Sequence, residues 1–318
     1  MSANSWNRRE PRGTGHKSMN GVLLQDRLNL SAWIVAARPR TLSLSMTPVA
    51  VGTAIAWAGE GTVRWLAVAA ALIGSAFIQL GTNLHNDAAD AERGADGPNR
   101  IGPPRATASG LLSATAVHRG AIASFAVAAA LGLYLIHLGG WPILLLGILS
   151  IASGWAYTGG PCPIAYMPLG ELFVVAFFGV GAVSGTYLLC TGHATLAAVV
   201  AGLAVGSLTG AVLLVNNYRD VEEDARVGRR TLPITVGPYP TVWVYASLML
   251  LPFALLPVIA HLLPRGYVWP AVIALPFAVV MIRRFAREPR GPIFNRILVQ
   301  TVQLQLLFSA LLSLGLVF

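Results

Sequence analysis

Charge is scarce in this chain. Its 22 basic and 13 acidic residues make up 11% of 318, where a soluble globular domain carries about one-quarter. That shortage excludes an ordinary cytosolic enzyme, a nucleic-acid-binding domain and a disordered polymer. Cysteine is nearly missing too. Cys162 and Cys190 flank one hydrophobic stretch at opposite ends, so they cannot pair, and no metal-type Cys/His spacing exists. There is no His-Glu-x-x-His and no Asp-Gly-x-x-Ala-Arg pattern of phosphotransferases. No segment of about ten residues alternates polar and apolar side chains as a β-barrel strand does. The first thirty residues hold no apolar core with a small-residue cleavage site, so no secretory signal is expected.

Apolar residues fill the gap, at 55%. Residues 120–170 and 172–218 carry no Asp, Glu, Lys or Arg. A bilayer core needs about 20 apolar residues per helix, so each run holds two spans. The expectation is an all-α polytopic membrane protein with nine transmembrane helices. They lie near Trp33–Trp57, Trp65–His85, Gly120–His137, Pro142–Tyr157, Leu169–Cys190, Ala194–Asn216, Val242–His261, Tyr267–Ile282 and Ile297–Phe318. Residues 1–30 read as a flexible cytoplasmic arm. Residues 31–318 read as one membrane domain, two four-helix halves plus a ninth helix. Trp33, Trp57, Trp65, Trp141 and Trp269 sit at span ends, as interfacial belt residues do.

With the N-terminus in the cytoplasm, 20 of the 22 basic residues fall on the cytoplasmic side and only Arg64 and Arg265 outside. This fits the positive-inside rule. The net charge of +9 therefore sits in membrane-flanking loops and argues for a lipid bilayer as partner, with no nucleic acid.

The acids are equally uneven. Asp87, Asp90, Glu92 and Asp96 follow the second span, and Asp220, Glu222, Glu223 and Asp224 follow the sixth. A shift of 134 residues superposes Asn83 on Asn217, Asn86 on Asp220, Asp90 on Asp224 and Gly94 on Gly228. Residues i and i+4 share a helical face, so Asn86 points with Asp90, and Asp220 with Asp224. Carboxylates that close repel unless a cation lies between them. Oxygen-only donors suit Mg²⁺, which prefers a few carboxylates plus phosphate oxygens. The candidate metal set is Asn86, Asp87, Asp90, Asp96, Asp220 and Asp224. Arg100, Arg105, Arg229 and Arg230 follow the clusters, and guanidinium groups match phosphate oxygens. The Gly/Pro/Arg-rich stretch 94–110 suits a loop over a phosphate site.

The stretches Asn83–Asp96 with Arg100-Ile-Gly-Pro103, and Asn216–Asp224 with Gly228–Leu232, resemble the two signatures of the UbiA superfamily of membrane prenyltransferases. Arg38-Pro-Arg-Thr-Leu42, Tyr157-Thr-Gly-Gly-Pro161 and Leu169-Gly-Glu171 leading into Phe177-Phe-Gly179 are similar to the branch acting on 1,4-dihydroxy-2-naphthoate in menaquinone synthesis. The resemblance runs from about Arg38 to Gly237. It implies a UbiA-type bundle in the bacterial cytoplasmic (inner) membrane, with N-terminus and active-site loops cytoplasmic. It also implies Mg²⁺, a polyprenyl diphosphate and an aromatic acid acceptor. On this pattern Asn86, Asp90, Asp220 and Asp224 hold the Mg²⁺–diphosphate, supported by Asn83 and Asn217, and Arg105 and Arg229 touch the diphosphate; Arg100, which follows the first cluster, is placed with them as a diphosphate-binding candidate. The superfamily often has an acid at the position of Gly94, and here Asp96 stands two residues on.

The implied reaction is Mg²⁺-dependent transfer of the polyprenyl group to 1,4-dihydroxy-2-naphthoate with loss of CO₂ and diphosphate, giving demethylmenaquinol. Tyr157 is the expected wall beside the allylic cation. Arg38 or Arg40 receives the acceptor's carboxylate, or else anchors the membrane interface. Glu171 is an acceptor-site member, or a helix N-terminal dipole partner. Two other readings stay open: a related prenyltransferase using another ring such as 4-hydroxybenzoate, and a secondary transporter. Against the transporter, the ionisable groups gather at one face instead of the midplane.

Overall fold

The computed structural model describes residues 29–97 and 100–318. The arm expected over residues 1–30 lies outside them, except for Asn29 and Leu30, where the Asn29 side chain caps the first helix through the Ala32 amide. Among the described residues there is no strand. The elements are α1 (Leu30–Ala37), α2 (Pro39–Glu60), α3 (Trp65–Glu92), α4 (Ala114–Ala156), α5 (Gly170–Thr191), α6 (Leu196–Arg219), α7 (Val221–Arg226), α8 (Leu232–Val236), α9 (Pro238–Leu262), α10 (Trp269–Arg287) and α11 (Ile293–Val317).

Eight of these helices are long and apolar enough to cross a membrane. They stand where nine spans are expected, because the third and fourth expected spans belong to one 43-residue element, α4. Gly140 breaks it with φ 66° and ψ −153°, and Pro142 follows. The Phe125 and Trp155 rings lie 6.3 Å apart, although thirty residues of straight helix would separate them by about 45 Å. So α4 folds back at Gly140, and its two arms run side by side against α3.

The first expected span is corrected at its start. A continuous helix from Trp33 is interrupted at Arg38, which takes a left-handed φ of 51° before Pro39 opens α2. A residue preceding proline is disfavoured in the helical region, so the chain turns there. Trp33 is partly buried and packs against the core formed by Ala32, Leu84, Val117 and Phe125 between α1, α3 and α4. Trp57, Trp65, Trp141 and Trp269 are exposed near helix ends, as a belt requires.

A second, larger core joins α2, α5, α6, α9, α10 and α11 around Val205, Leu208, Tyr245, Phe285 and Phe308. Helix α6 runs through its middle and is the most enclosed of the long helices. Each core therefore carries one acidic motif. The first ends α3, beside the smaller core, and the second follows α6, out of the larger.

Candidate active site

Helix α3 runs seven residues past the expected end of its span, so Asn86, Asp87 and Asp90 sit on its last two turns. There the chain closes with a particular cap. Gly94 adopts φ 63°, its amide donates to the Ala91 carbonyl, and the Ala95 amide donates to the Asp90 carbonyl. The second motif does the same 134 residues later. Gly228 has φ 78°, its amide donates to Ala225, and the Arg229 amide donates to Asp224. This is a Schellman cap in both places, and it needs a residue at ease with positive φ. The repeat visible in the sequence is thus a repeat of backbone geometry, with Asp90 and Asp224 in the same cap position.

The two ends meet at Arg229. Its guanidinium donates to Asp90 across the site and to Asp224 on its own side, the latter at 2.9 Å. Arg105 comes from the loop to pair with Asp90 at 3.1 Å and lies 3.4 Å from Asp96. Arg100 also pairs with Asp96. Burial works against the charge of Arg229, yet Asp90 and Asp224 outweigh it and hold the guanidinium protonated above its usual range. Burial lifts the Asp224 carboxyl to about 6 against the pull of Arg229. It lifts Asp96 likewise to about 6 against Arg100.

Asp220 lies at the junction of α6 and α7. Arg219 grips it with two bonds of 2.7 and 2.6 Å and also donates to Asn295 on α11 at 2.9 Å. Asn295 in turn donates to the Ile101 carbonyl at 2.9 Å. The loop between α3 and α4 is thereby tied down from both cores. The Gly97 amide donates to Glu223 at 3.0 Å. The Ala106 and Thr107 amides donate to the two oxygens of Asp87 at 3.2 and 2.8 Å.

That last pair places Asp87 apart from the other acids. Its carboxylate is fully buried and both oxygens are occupied by the loop backbone. Asn83 is occupied too, donating to the Ala37 carbonyl and the Thr41 hydroxyl at 2.9 Å each and accepting from Gln79. It thus holds the Arg38 turn against α3. Asn86 accepts from the Thr158 hydroxyl at 2.7 Å, and Asn217 donates to Glu171 at 2.9 Å. Arg38 faces Asp87, Asp90 and Asp96; burial lowers its proton affinity against them, and its Nη2 is buried without a partner. Arg40 is exposed, and among the described residues nothing ties its side chain to the cluster. Burial, then Glu171, raises the Tyr157 phenol above the ordinary tyrosine range, and Arg229, Asp224 and Asp90 also act on it.

Several participants escape sequence reasoning. Arg219, 2% exposed, and Glu223 lie inside the second motif, but nothing in the spacing separates them from solvated charges. Asn295 sits 76 residues from Arg219 and carries no local signal. Tyr166, over whose ring Arg93 and Arg229 lie at 5.6 and 5.3 Å, is equally silent. His85 stacks on Trp155 at 4.0 Å and meets His118 at 3.4 Å, nitrogen to nitrogen, and His118 lies 3.3 Å from Glu92. Glu92 and Glu222 are more than half exposed.

Among the described residues no three His, Cys, Asp or Glu side chains come close enough to hold a metal by themselves. Arginines stand between the carboxylates instead. The donor set is still all oxygen, and Asp96 Oδ2 is buried with no partner. Such a set fits Mg²⁺ that takes part of its coordination from a bound diphosphate and water.

A family model described as the UbiA prenyltransferase family matches residues 45–302. The chain belongs to that family. A 1,4-dihydroxy-2-naphthoate octaprenyltransferase of Mycobacterium tuberculosis is 36% identical over 70% of this chain and 75% of its own length. One of Bacillus subtilis is 35% identical over 66% and 67%. In three dimensions this UbiA-family chain resembles a UbiA homolog from Archaeoglobus fulgidus bound to GPP and Mg²⁺, with a TM-score of 0.66, 18% identity, and 90% and 99% of the two chains covered. That likeness establishes the shared fold.

Proposed function

We propose that this protein transfers a polyprenyl group from its diphosphate to 1,4-dihydroxy-2-naphthoate, releasing diphosphate and CO₂. One observation carries the reading: Arg229 holds Asp90 and Asp224 together, so two acidic helix ends 134 residues apart form one polar site above apolar helices. The names of the 36% and 35% identical relatives supply the acceptor. The distribution of arginines supports placing this site at the cytoplasmic face of a bacterial inner membrane.

Asp90, Asp220, Asp224 and Asn86 are the residues to hold Mg²⁺, with Asp96 adjacent. When bound there, the ion would supply positive charge to neutralise the departing diphosphate. Arg229 and Arg105 are paired with carboxylates without substrate, and a diphosphate gives them a more highly charged partner. They then bind the leaving group as charge grows on it, which is where preorganised donors accelerate a reaction most. Arg219 orients Asp220 through its two hydrogen bonds. Tyr157, kept as a neutral phenol, presents a ring face to the allylic cation and has no proton to accept. The loop stapled by Asp87, Glu223 and Asn295 holds Arg105 at the site. Arg38, turned toward the first acids with a free nitrogen, is the candidate for the acceptor's carboxylate.

Purified protein supplied with Mg²⁺, a polyprenyl diphosphate and either 1,4-dihydroxy-2-naphthoate or 4-hydroxybenzoate tests this directly. The expected result is diphosphate and CO₂ release with the naphthoate and little turnover with the benzoate. Preference for the benzoate would reassign the acceptor. Failure with every aromatic acid would remove the reading.

A further inference from the structure

The site contains a carboxyl that diphosphate chemistry leaves unused. Glu171, the second residue of α5, is 6% exposed. Its Oε1 accepts from Asn217 at 2.9 Å. Its Oε2 is buried with no partner, and among the described residues Glu171 forms no ion pair. Its chain neighbour Gly170 lies beside Tyr157: a Cβ there would be 3.8 Å from the Tyr157 hydroxyl. Within one turn, α5 widens into a π-helical stretch, Val175–Gly181, a distortion frequent at functional sites. A buried acid with one oxygen fixed by an amide and the other unpartnered is costly to maintain for packing alone.

We propose that Glu171 is the proton acceptor for the acceptor's ring hydroxyl, the one ortho to its carboxylate. The proposal rests on the function argued above. The hydroxyl O–H bond breaks, its proton goes to Oε2, and its electron pair raises electron density at the ring carbon bearing the carboxylate. That carbon bonds to the allylic carbon of the donor, whose C–O bond breaks with its electron pair leaving on the diphosphate. The attacked ring carbon is now tetrahedral beside a ketone, which makes it a β-keto carboxylate. Its bond to CO₂ breaks, the pair moves to the ketone oxygen as an enolate, and the enolate takes back the proton from Glu171. No proton is consumed overall, and the carboxyl ends as it began. Asn217, by fixing Oε1, leaves Oε2 as the face offered to the hydroxyl. Tyr157 cannot serve instead, because its phenol stays protonated.

Steady-state kinetics of the full chain with Mg²⁺, a polyprenyl diphosphate and 1,4-dihydroxy-2-naphthoate, for wild type, Glu171→Gln and Glu171→Asp, test the proposal. Glu171→Gln is expected to lower kcat by 10²–10⁴-fold, the range for loss of one proton-transfer group, with the KM of both substrates little changed. The acid limb of the kcat–pH profile is expected in wild type and Glu171→Asp and absent from the residual Glu171→Gln activity. A raised acceptor KM at unchanged kcat would make Glu171 a binding group and overturn the proposal, as would unchanged kinetics. If Glu171→Gln melts during purification, Glu171→Asp decides: lowered kcat with the acid limb kept supports the assignment, and full kcat overturns it. Wild-type protein inactive on the naphthoate would overturn both the function and this role. Active wild type with an indifferent Glu171→Gln would overturn this role alone.

Discussion

The two acidic helix ends share a backbone and differ in how their side chains are neutralised. Gly94 and Gly228 close both with the same left-handed cap, and Asp90 and Asp224 occupy the same place in it. Around that common frame the first end is served from far away. Arg105 and Arg229 reach Asp90 from other segments, while Asp87 is spent on the amides of Ala106 and Thr107. The second end is largely self-sufficient, with Arg219 on its neighbour Asp220 and Arg229 on Asp224. A repeat preserves the geometry that aims the carboxylates, whereas each copy finds counter-charges wherever the surrounding fold supplies them.

If Asp90 and Asp224 are equivalent, Asp90→Ala and Asp224→Ala should each lower kcat/KM by on the order of 10³-fold or more and leave a folded protein in detergent. Full activity in either variant would break the equivalence. The arginines should sharpen the contrast. Arg229→Ala removes the counter-charge of both ends and should cost on the order of 10²-fold. Arg219→Ala removes a counter-charge from the second end alone and should cost less, shown by comparing the two in one assay. Equal losses would mean that the ends do not share Arg229.

Stability separates the ends next. Asp87→Asn leaves two loop amides with a weaker acceptor and should cost about 1–3 kcal/mol in chemical unfolding, with no counterpart at the second end. Gly94→Ala and Gly228→Ala force an alanine to positive φ and should cost about 1–2 kcal/mol each, alike in both copies. The smallest expected effect is in pH. Asp96 and Asp224 are lifted to about 6, against about 3.9 for a free aspartate. Their contribution favours the folded state most below pH ~4 and is lost as pH rises through about 6. Mg²⁺ requires the ionised forms, so the rise in Tm produced by Mg²⁺ should grow between pH 5 and 7. A rise independent of pH would detach these carboxyls from the metal.

The sequence carried much of this. The uncharged runs located the helices, and the 134-residue echo of Asn, Asp and Gly located both acidic helix ends, because each depends on residues a few positions apart. What stayed hidden depends on distance along the chain. The bond from Asp87 to Thr107, from Arg219 to Asn295 and from Asn83 to Ala37 span 20, 76 and 46 residues, so a metal-like Asp87 and a structural one read the same. Arg38 in a left-handed turn and Trp33 against a core were likewise set by packing on α3 and α4 instead of local pattern. The fold-back of α4 was visible as two hydrophobic stretches, but not that a single element carries both.

The account stands on the two ends forming one binding site. A double-mutant cycle of Asp90→Asn and Asp224→Asn, read as Mg²⁺-dependent equilibrium binding of a non-reactive prenyl thiodiphosphate, measures this most directly. One shared site predicts strong non-additivity, with the double variant scarcely weaker than either single one. Additive losses would mean two independent sites and would contradict the account.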